Sequence, residues 1–318
     1  MPFAICAVGC GHIARAMHGP SYLKYQAENS GAVFAGCCDI DMGKAESFRS
    51  QFNFRSAYDD MNEMIRKEKP DAVCLLSPVE KTASLAADIL VKGIPLLLEK
   101  PPGRTREEVA QLIDIADKKR VPNRVAFNRR YAPLVIKLKE LLGAKRAPEQ
   151  IRSIQYDMYR VGRMDEDFST TAIHAIDAAR FIACSDYKHV RFTYRAATDI
   201  HMACETQSGA VVNISVCPVT GMIKEGATVI CRDKIFDLDL LGNPLNPTGR
   251  LIAIEKNDIT VDISGDAEPF VREGFYIENK TFFDDIIAGR QPTGGVDTAF
   301  QSVALAECVR ERAREFVF

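Results

Sequence analysis

The sequence predicts an α/β protein of two domains: a doubly wound parallel sheet at the N-terminus, followed by an α+β domain with a largely antiparallel, open-faced sheet. Three observations carry this. Short, wholly apolar runs at residues 3–8, 32–38 and 72–76 alternate with helix-like stretches. Beyond residue 151 the pattern changes to short segments of strand character, several of them alternating apolar and polar residues. A length of 318 residues suits two cores rather than one. The division is expected at residue 123, between an N-terminal domain, 1–123, and a C-terminal domain, 124–318.

Residues 3–8, Phe-Ala-Ile-Cys-Ala-Val, suit a strand buried on both faces. They run into Gly9-Cys10-Gly11-His12-Ile13-Ala14. A Gly-x-Gly-x-x-Ala string gains meaning between a strand and a helix, where each position has a task. Gly9 allows the tight turn, Gly11 lets backbone approach a pyrophosphate, and Ala14 is small enough for close helix packing. The following helix start, at His12 and Ile13, offers unpaired N–H groups and partial positive charge to phosphates. The second apolar run, 32–38, ends at Asp39, where a carboxylate accepts hydrogen bonds from ribose hydroxyls. Ile40 and Asp41 bring no arginine for a 2′-phosphate, so the pattern favours NAD over NADP.

The alternation continues with helices expected at 42–52 and 59–68 and a strand at 72–76, followed by Ser77-Pro78. A helix at about 82–92 stops at Gly93, and a strand at 95–98 delivers Glu99-Lys100-Pro101-Pro102 at its carboxyl end. Ligands of open parallel sheets sit at that edge, which places Lys100 well for chemistry. In the second domain, strands are expected at 151–159, 190–196, 200–205, 210–216, 228–231 and 234–238, with a helix at about 171–183. Val212, Ile214 and Val216 alternate with Val211, Asn213 and Ser215, the mark of a sheet with one less apolar face. Such a face is an expected homodimer or homotetramer surface.

Composition excludes several classes. A net charge of −2 without basic blocks offers no field for a phosphate backbone, so no nucleic-acid partner is expected. Ten cysteines lie in apolar, strand-like runs rather than in a small secreted framework, and read as reduced core thiols. Without a Cys-x-x-Cys pair, and with five scattered histidines, no metal site is expected. The chain enters its first strand without a charged leader and has no apolar run of about 18 residues. A cytoplasmic protein with no membrane partner is the expectation.

Four motifs together resemble the Gfo/Idh/MocA family of sugar oxidoreductases: Gly9-Cys10-Gly11-His12-Ile13-Ala14, Asp39, Glu99-Lys100-Pro101, and Phe127-Asn128-Arg129-Arg130-Tyr131. His174-Ala175-Ile176-Asp177 is similar to the family's His-x-x-Asp, and the stretch 275–309 resembles its closing helices. The resemblance implies a Rossmann nucleotide domain and hydride transfer between nicotinamide and a secondary alcohol or ketone of a sugar, polyol or sugar acid. It implies that Lys100 sits near the nicotinamide, that Lys100-Pro101 is a candidate cis peptide, that Ser77, Pro78, Glu99 and Asn128 line the cofactor, and that His174 faces the substrate. The sequence departs from the family where an Asp and a Gly commonly stand four and two residues before the histidine; here they are Thr170 and Ala172. Threonine can hydrogen-bond a hydroxyl but cannot take up a proton near neutral pH, which leaves Lys100 and His174 as the catalytic pair.

The residue chemistry fits that implication. His174 and Asp177, three apart, share a helix face. An imidazole can accept the alcohol proton near neutral pH while an ammonium stabilises the developing alkoxide. Arg160 and Arg163, if both point into the cleft, would fit a substrate carboxylate or phosphate; as solvated loop arginines they would not. Two other readings stay open: a sugar- or NAD-binding sensor without turnover, and an NAD-recycling, glycosidase-type enzyme.

Overall fold

The structure, a computed structural model, describes residues 2–143, 150–164, 167–195 and 198–318. It divides into two compact units. Unit 1 is Met1–Phe127 with Phe275–Val303, and unit 2 is Asn128–Gly274 with Ala304–Phe318. The sequence suggests a single division after residue 123; in the structure the chain returns to unit 1 after Gly274.

Among the described residues, unit 1 is built on a six-stranded parallel sheet, in the order β3-β2-β1-β4-β5-β6. The strands are β1 Phe3–Val8, β2 Ala32–Cys38, β3 Ser56–Tyr58, β4 Ala72–Leu75, β5 Leu96–Glu99 and β6 Asn123–Ala126. β1, β2, β4 and β5 are apolar nearly throughout because helices cover both faces of a parallel sheet. The helices are α1 Gly19–Glu28, α2 Met42–Phe52, α3 Met61–Glu68, α4 Val79–Val91 and α5 Arg106–Lys119. Local chemistry starts them. Asp41 accepts from the amides of Gly43 and Lys44 at the head of α2, and Asp60 from Glu63 at the head of α3. At α5, Thr105 accepts from the Glu108 amide while the Glu108 carboxylate accepts from Arg104, a reciprocal cap. α4 begins three residues before the sequence reading has it, directly after Pro78, whose extended backbone (ψ 145°) ends the preceding loop.

The return segment holds α8, Phe275–Ile287. Its Phe283 packs on Tyr22, Tyr25 and Phe34 at centroid separations of 5.1–6.3 Å. Arg124 of β6, buried, donates to the carbonyls of Glu278 and Thr293 and pairs with Asp285 at 3.1 Å. An aromatic cluster and a buried guanidinium together tie α8 to the sheet, although it lies far from it in sequence.

Unit 2 carries a nine-stranded sheet among the described residues, in the order β14-β13-β12-β11-β7-β10-β9-β8-β15. The strands are β7 Ile151–Tyr159, β8 Tyr187–Arg195, β9 Asp199–Thr206, β10 Val211–Cys217, β11 Lys224–Cys231, β12 Lys234–Asp239, β13 Arg250–Glu255, β14 Asp258–Ser264 and β15 Glu315–Val317. Only β7 and β10 pair in parallel; the other pairs are antiparallel. Ala196, expected at the end of β8, lies outside the described residues. β11 starts four residues earlier than sequence suggests because Glu225, a charged residue, is buried in it. Neither β13–β14 nor β15 was expected; their exposed alternate positions dilute the apolar signal. Helices α6 Pro133–Leu142 and α7 Ser169–Ala183 pack with Val212, Ile214 and Val216 into one core on a single face of this sheet. α9, Val296–Arg310, begins in unit 1 and adds Leu305, Cys308 and Val309 to that core.

Candidate functional site

The register of the parallel sheet aligns Cys38, Val8, Leu75 and Leu98 in one row across β2, β1, β4 and β5. The residues that follow, Asp39, Gly9, Leu76 and Glu99, therefore stand along its carboxyl edge. β1 has β2 on one side and β4 on the other, so the chain reverses its winding there, where doubly wound sheets open a crevice.

Gly9 has φ +98°, and a Cβ there would lie 2.4 Å from the Leu76 carbonyl oxygen. Only glycine fits, on both conformational and steric grounds. Gly11 is open, with nothing within 4 Å of where its Cβ would be, and the helical backbone begins at His12. A bare turn, an open glycine and unpaired amides at a helix start fit a pyrophosphate. Asp39 is fixed before any ligand arrives: its Oδ2 accepts from the Cys10 amide at 2.9 Å and its Oδ1 from the Asp41 amide at 3.0 Å. Each oxygen retains a lone pair for a ribose hydroxyl.

Sequence reasoning passed over Arg15. Its guanidinium donates to the Cys10 carbonyl (3.1 Å), Ser47, Gln51 and the Lys44 carbonyl, clamping the glycine turn to α2. Ile40, which the sequence marks only by its not being an arginine, is 96% exposed beside Asp39. After β4, the Ser77 hydroxyl bonds Thr82 Oγ1 at 3.1 Å, and Thr82 in turn donates to the Ser77 and Pro78 carbonyls, closing the turn into α4. After β5, Glu99 is buried, Lys100 is half-buried, and the Lys100–Pro101 peptide is cis, as the resemblance implied.

Unit 2 holds the remaining candidates. Asn128 is fully buried; its Nδ2 donates to the Glu273 carbonyl at 2.9 Å, while its Oδ1 has no hydrogen-bond partner among the described residues. An orphan acceptor on a buried amide is costly unless a donor arrives, and a ligand N–H or O–H is the chemistry that would satisfy it. His174 lies half-buried on α7. Asp177, one turn along, is buried and receives Arg130 at both oxygens, at 2.8 and 2.6 Å. Thr170 donates to the Asp167 carbonyl at 3.2 Å.

The two arginines expected to act together part company. Arg160 is buried and donates to Glu225, to which Arg129 also donates at 2.9 and 3.0 Å and Tyr156 at 3.0 Å. Its guanidinium belongs to an internal ion cluster rather than to a cleft-facing fork, because a glutamate buried in a strand demands two cations. Arg163 is exposed, with an Nη2 contact of 3.5 Å to Thr171 Oγ1. Among the described residues no group of three or more His, Cys, Asp or Glu is placed to hold a metal ion.

Residues 3–127 match the sequence profile of the GFO_IDH_MocA family, described as "Oxidoreductase family, NAD-binding Rossmann fold". Over that segment the chain is similar to this family. Among its relatives are the rhizopine catabolism protein MocA of Rhizobium meliloti, 28% identical over 138 residues (43% of this chain, 41% of that one), and the D-glucoside 3-dehydrogenase of Escherichia coli K12, 25% identical over 131 residues (41% and 36%). The chain thus spans about two-fifths of the length of those relatives. Over the whole chain, the fold is shared with an oxidoreductase from Agrobacterium radiobacter solved with NAD+, L-tartaric acid and magnesium, at TM-score 0.81 and 16% identity, covering 100% of this chain and 98% of the other. The family's Rossmann fold is the six-stranded sheet of unit 1, and the family's name for its ligand agrees with the glycine turn and Asp39.

Proposed function

We propose that the protein is an NAD-dependent oxidoreductase that moves a hydride between nicotinamide and a hydroxyl-bearing carbon of a sugar, polyol or sugar acid. The observation that carries this is the glycine turn: Gly9 locked beneath the Leu76 carbonyl, Gly11 bare, and Asp39 oriented by two amides. Gly9, Gly11 and the amides of His12, Ile13 and Ala14 would hold the pyrophosphate, Asp39 the ribose, and Ser77, Pro78, Glu99 and Asn128 the nicotinamide end. Bound there, NAD supplies the hydride acceptor. Oxidation of an alcohol also frees a proton, which His174 takes near neutral pH while the Lys100 ammonium steadies the negative oxygen. Thr170 orients a substrate hydroxyl and Arg163 meets a substrate carboxylate. Within unit 2 the charges of Arg160 and Asp177 are engaged by Glu225 and Arg130. The relatives' names, a glucoside dehydrogenase and a tartrate-bound oxidoreductase among them, support a polyhydroxylated substrate. A panel of sugars, polyols and sugar acids, followed at the NADH absorbance band, tests the reading; no response to any of them, together with no thermal stabilisation by NAD, would remove it.

Cofactor choice rests on Asp39. Asp39→Asn keeps an acceptor for the Cys10 amide but drops the charge that repels a 2′-phosphate, so the ratio of kcat/KM for NADP to that for NAD is expected to rise by about tenfold or more. Parallel kinetics with both cofactors measure it.

A homodimer or homotetramer through the open sheet face is part of the same proposal. The register lines up Val211, Ser153, Ile230, Ile235, Ile254 and Ile259 across six strands. Val211, Ile230, Ile235 and Ile259 are 40–60% exposed, an apolar stripe that association would cover. Ile230→Lys is expected to lower the mass measured by light scattering to that of one chain, and a monomeric mass for the unaltered protein would dismiss the interface. A reducing compartment such as the cytoplasm suits ten free thiols, eight of them buried; among the described residues, no helix is long and apolar enough to cross a membrane.

A further inference from the structure

His18 has no part in the nucleotide fingerprint, yet the fold places it directly behind the residue proposed to do the chemistry. Pro20, the second residue of α1, has no N–H to offer Ala16. The chain widens into a π-helical turn, Ala14–His18, closed by the Gly19 amide on the Ala14 carbonyl. Gly19 has no room for a side chain, since a Cβ would lie 2.4 Å from the Phe52 ring. His18, with no exposed surface, then sits with Nε2 3.0 Å from Glu99 Oε1 and Nδ1 3.1 Å from Asn279 Nδ2.

The network assigns the proton. His18 Nδ1 lies 3.1 Å from Asn279 Nδ2 and 3.3 Å from its Oδ1, while the Glu99 carboxylate that faces Nε2 can only accept. The ring hydrogen therefore stands on Nε2 and is donated to Glu99. The second Glu99 oxygen accepts from the Lys100 amide at 3.0 Å. Burial pushes the Glu99 carboxyl up, but the hydrogen bond and charge of His18, and after them the charge and amide of Lys100, outweigh it and hold the group below its ordinary value. It is thus a buried anion whose oxygens are held by His18 on one side and by the backbone of Lys100 on the other.

We propose that His18 is a positioning residue: oriented by Asn279, it holds the Glu99 carboxylate, which fixes the backbone and charge at Lys100. The inference deepens the reading of Lys100 as a catalytic group and rests on it, but the placement can be measured without turnover. With the His18 donor removed, Glu99 is left buried with one fewer hydrogen bond, takes up a proton, and no longer favours the ammonium form of Lys100.

The test is the rate at which Lys100 is acetylated by acetic anhydride at pH 8, read by peptide mass spectrometry on the full chain, with NAD affinity measured alongside. In His18→Leu the Lys100 rate is expected to rise about threefold or more, because the free amine that reacts gains once the neighbouring carboxylate loses its charge. His18→Gln, whose amide N–H can reach Glu99, is expected to restore the original rate. NAD affinity should stay within about twofold in both, and kcat, where a substrate turns over, should fall in the leucine variant far more than KM changes. An unchanged Lys100 rate in a cooperatively melting His18→Leu overturns the proposal. Should that variant fail to fold, Glu99→Gln is read in the same way: a faster Lys100 supports the placement and an unchanged one overturns it. A faster Lys100 in a chain that oxidises no polyol would uphold the positioning and sink the hydride-transfer reading.

Discussion

Lys100→Met is expected to lower kcat by a factor of about 10² to 10⁴ and to leave NAD binding nearly intact. Methionine keeps the length and apolar stem of lysine and removes only the cation. Lys100 follows the last residue of β5, one place beyond a buried carboxylate, at the edge where β1, β2 and β4 deliver Gly9, Asp39 and Leu76. The glycine turn does not depend on it, so a thermal shift with NAD should persist while turnover collapses. Loss of both would mark Lys100 as structural, and normal turnover would remove it from the mechanism. His174→Asn should slow turnover in the same direction, its deficit shrinking as the pH rises and hydroxide takes over as base.

The second large effect concerns stability. Glu225→Gln is expected to destabilise unit 2 by about 3–5 kcal/mol, because it leaves the guanidinium groups of Arg129 and Arg160 buried without their common anion. Glu225 has no exposed surface, and Arg129, Arg160 and Tyr156 all donate to it; the Glu273 carboxylate, 3.4 Å from Arg129, compensates only in part. Urea denaturation measures the loss, a large share of the stability of an ordinary domain. The same cluster sets a pH dependence. Burial alone would raise the Glu225 carboxyl, but the charges of Arg129 and Arg160 bring it from 4.5 down to about 2. The folded-state pKa lies below the unfolded one, so this stability is fully present above about pH 4.5 and drains away as the pH falls towards 2. The urea midpoint of the unaltered protein should fall across that window more steeply than that of Glu225→Gln, which has no proton to gain there. Parallel curves would contradict the assignment.

What could be read in the chain beforehand was whatever is local. β1, the glycine turn, β2 ending at Asp39, and β5 ending at Glu99-Lys100 announce themselves because an apolar run, a turn residue and a cap each act within a few positions. Where a long-range contact overrides the local pattern, the sequence misleads. Glu225 hides the first half of β11, since its arginine partners lie 65 and 96 residues away. Arg160 looks like a loop cation free to grip a substrate and is instead the counter-charge of that glutamate. Asp177, on the same helix as His174, is held by Arg130 from 47 residues away.

By itself, then, the sequence determined β1, β2, β4 and β5 with the helices α2, α3 and α4 between them, the glycine turn, the aspartate that ends the second strand and the lysine at the sheet edge, because spacing and residue type impose these within one or two turns of chain, whereas β3, β6 and α5 were not read from it. Only the tertiary structure decided that His18 and Asn279, 261 residues apart, meet beside Glu99, and that α8 returns to the first sheet. It alone showed that Arg129, Arg160 and Glu225 brace the interior. A buried charge must find its partner wherever the fold brings one, and no periodicity along the chain records where that will be.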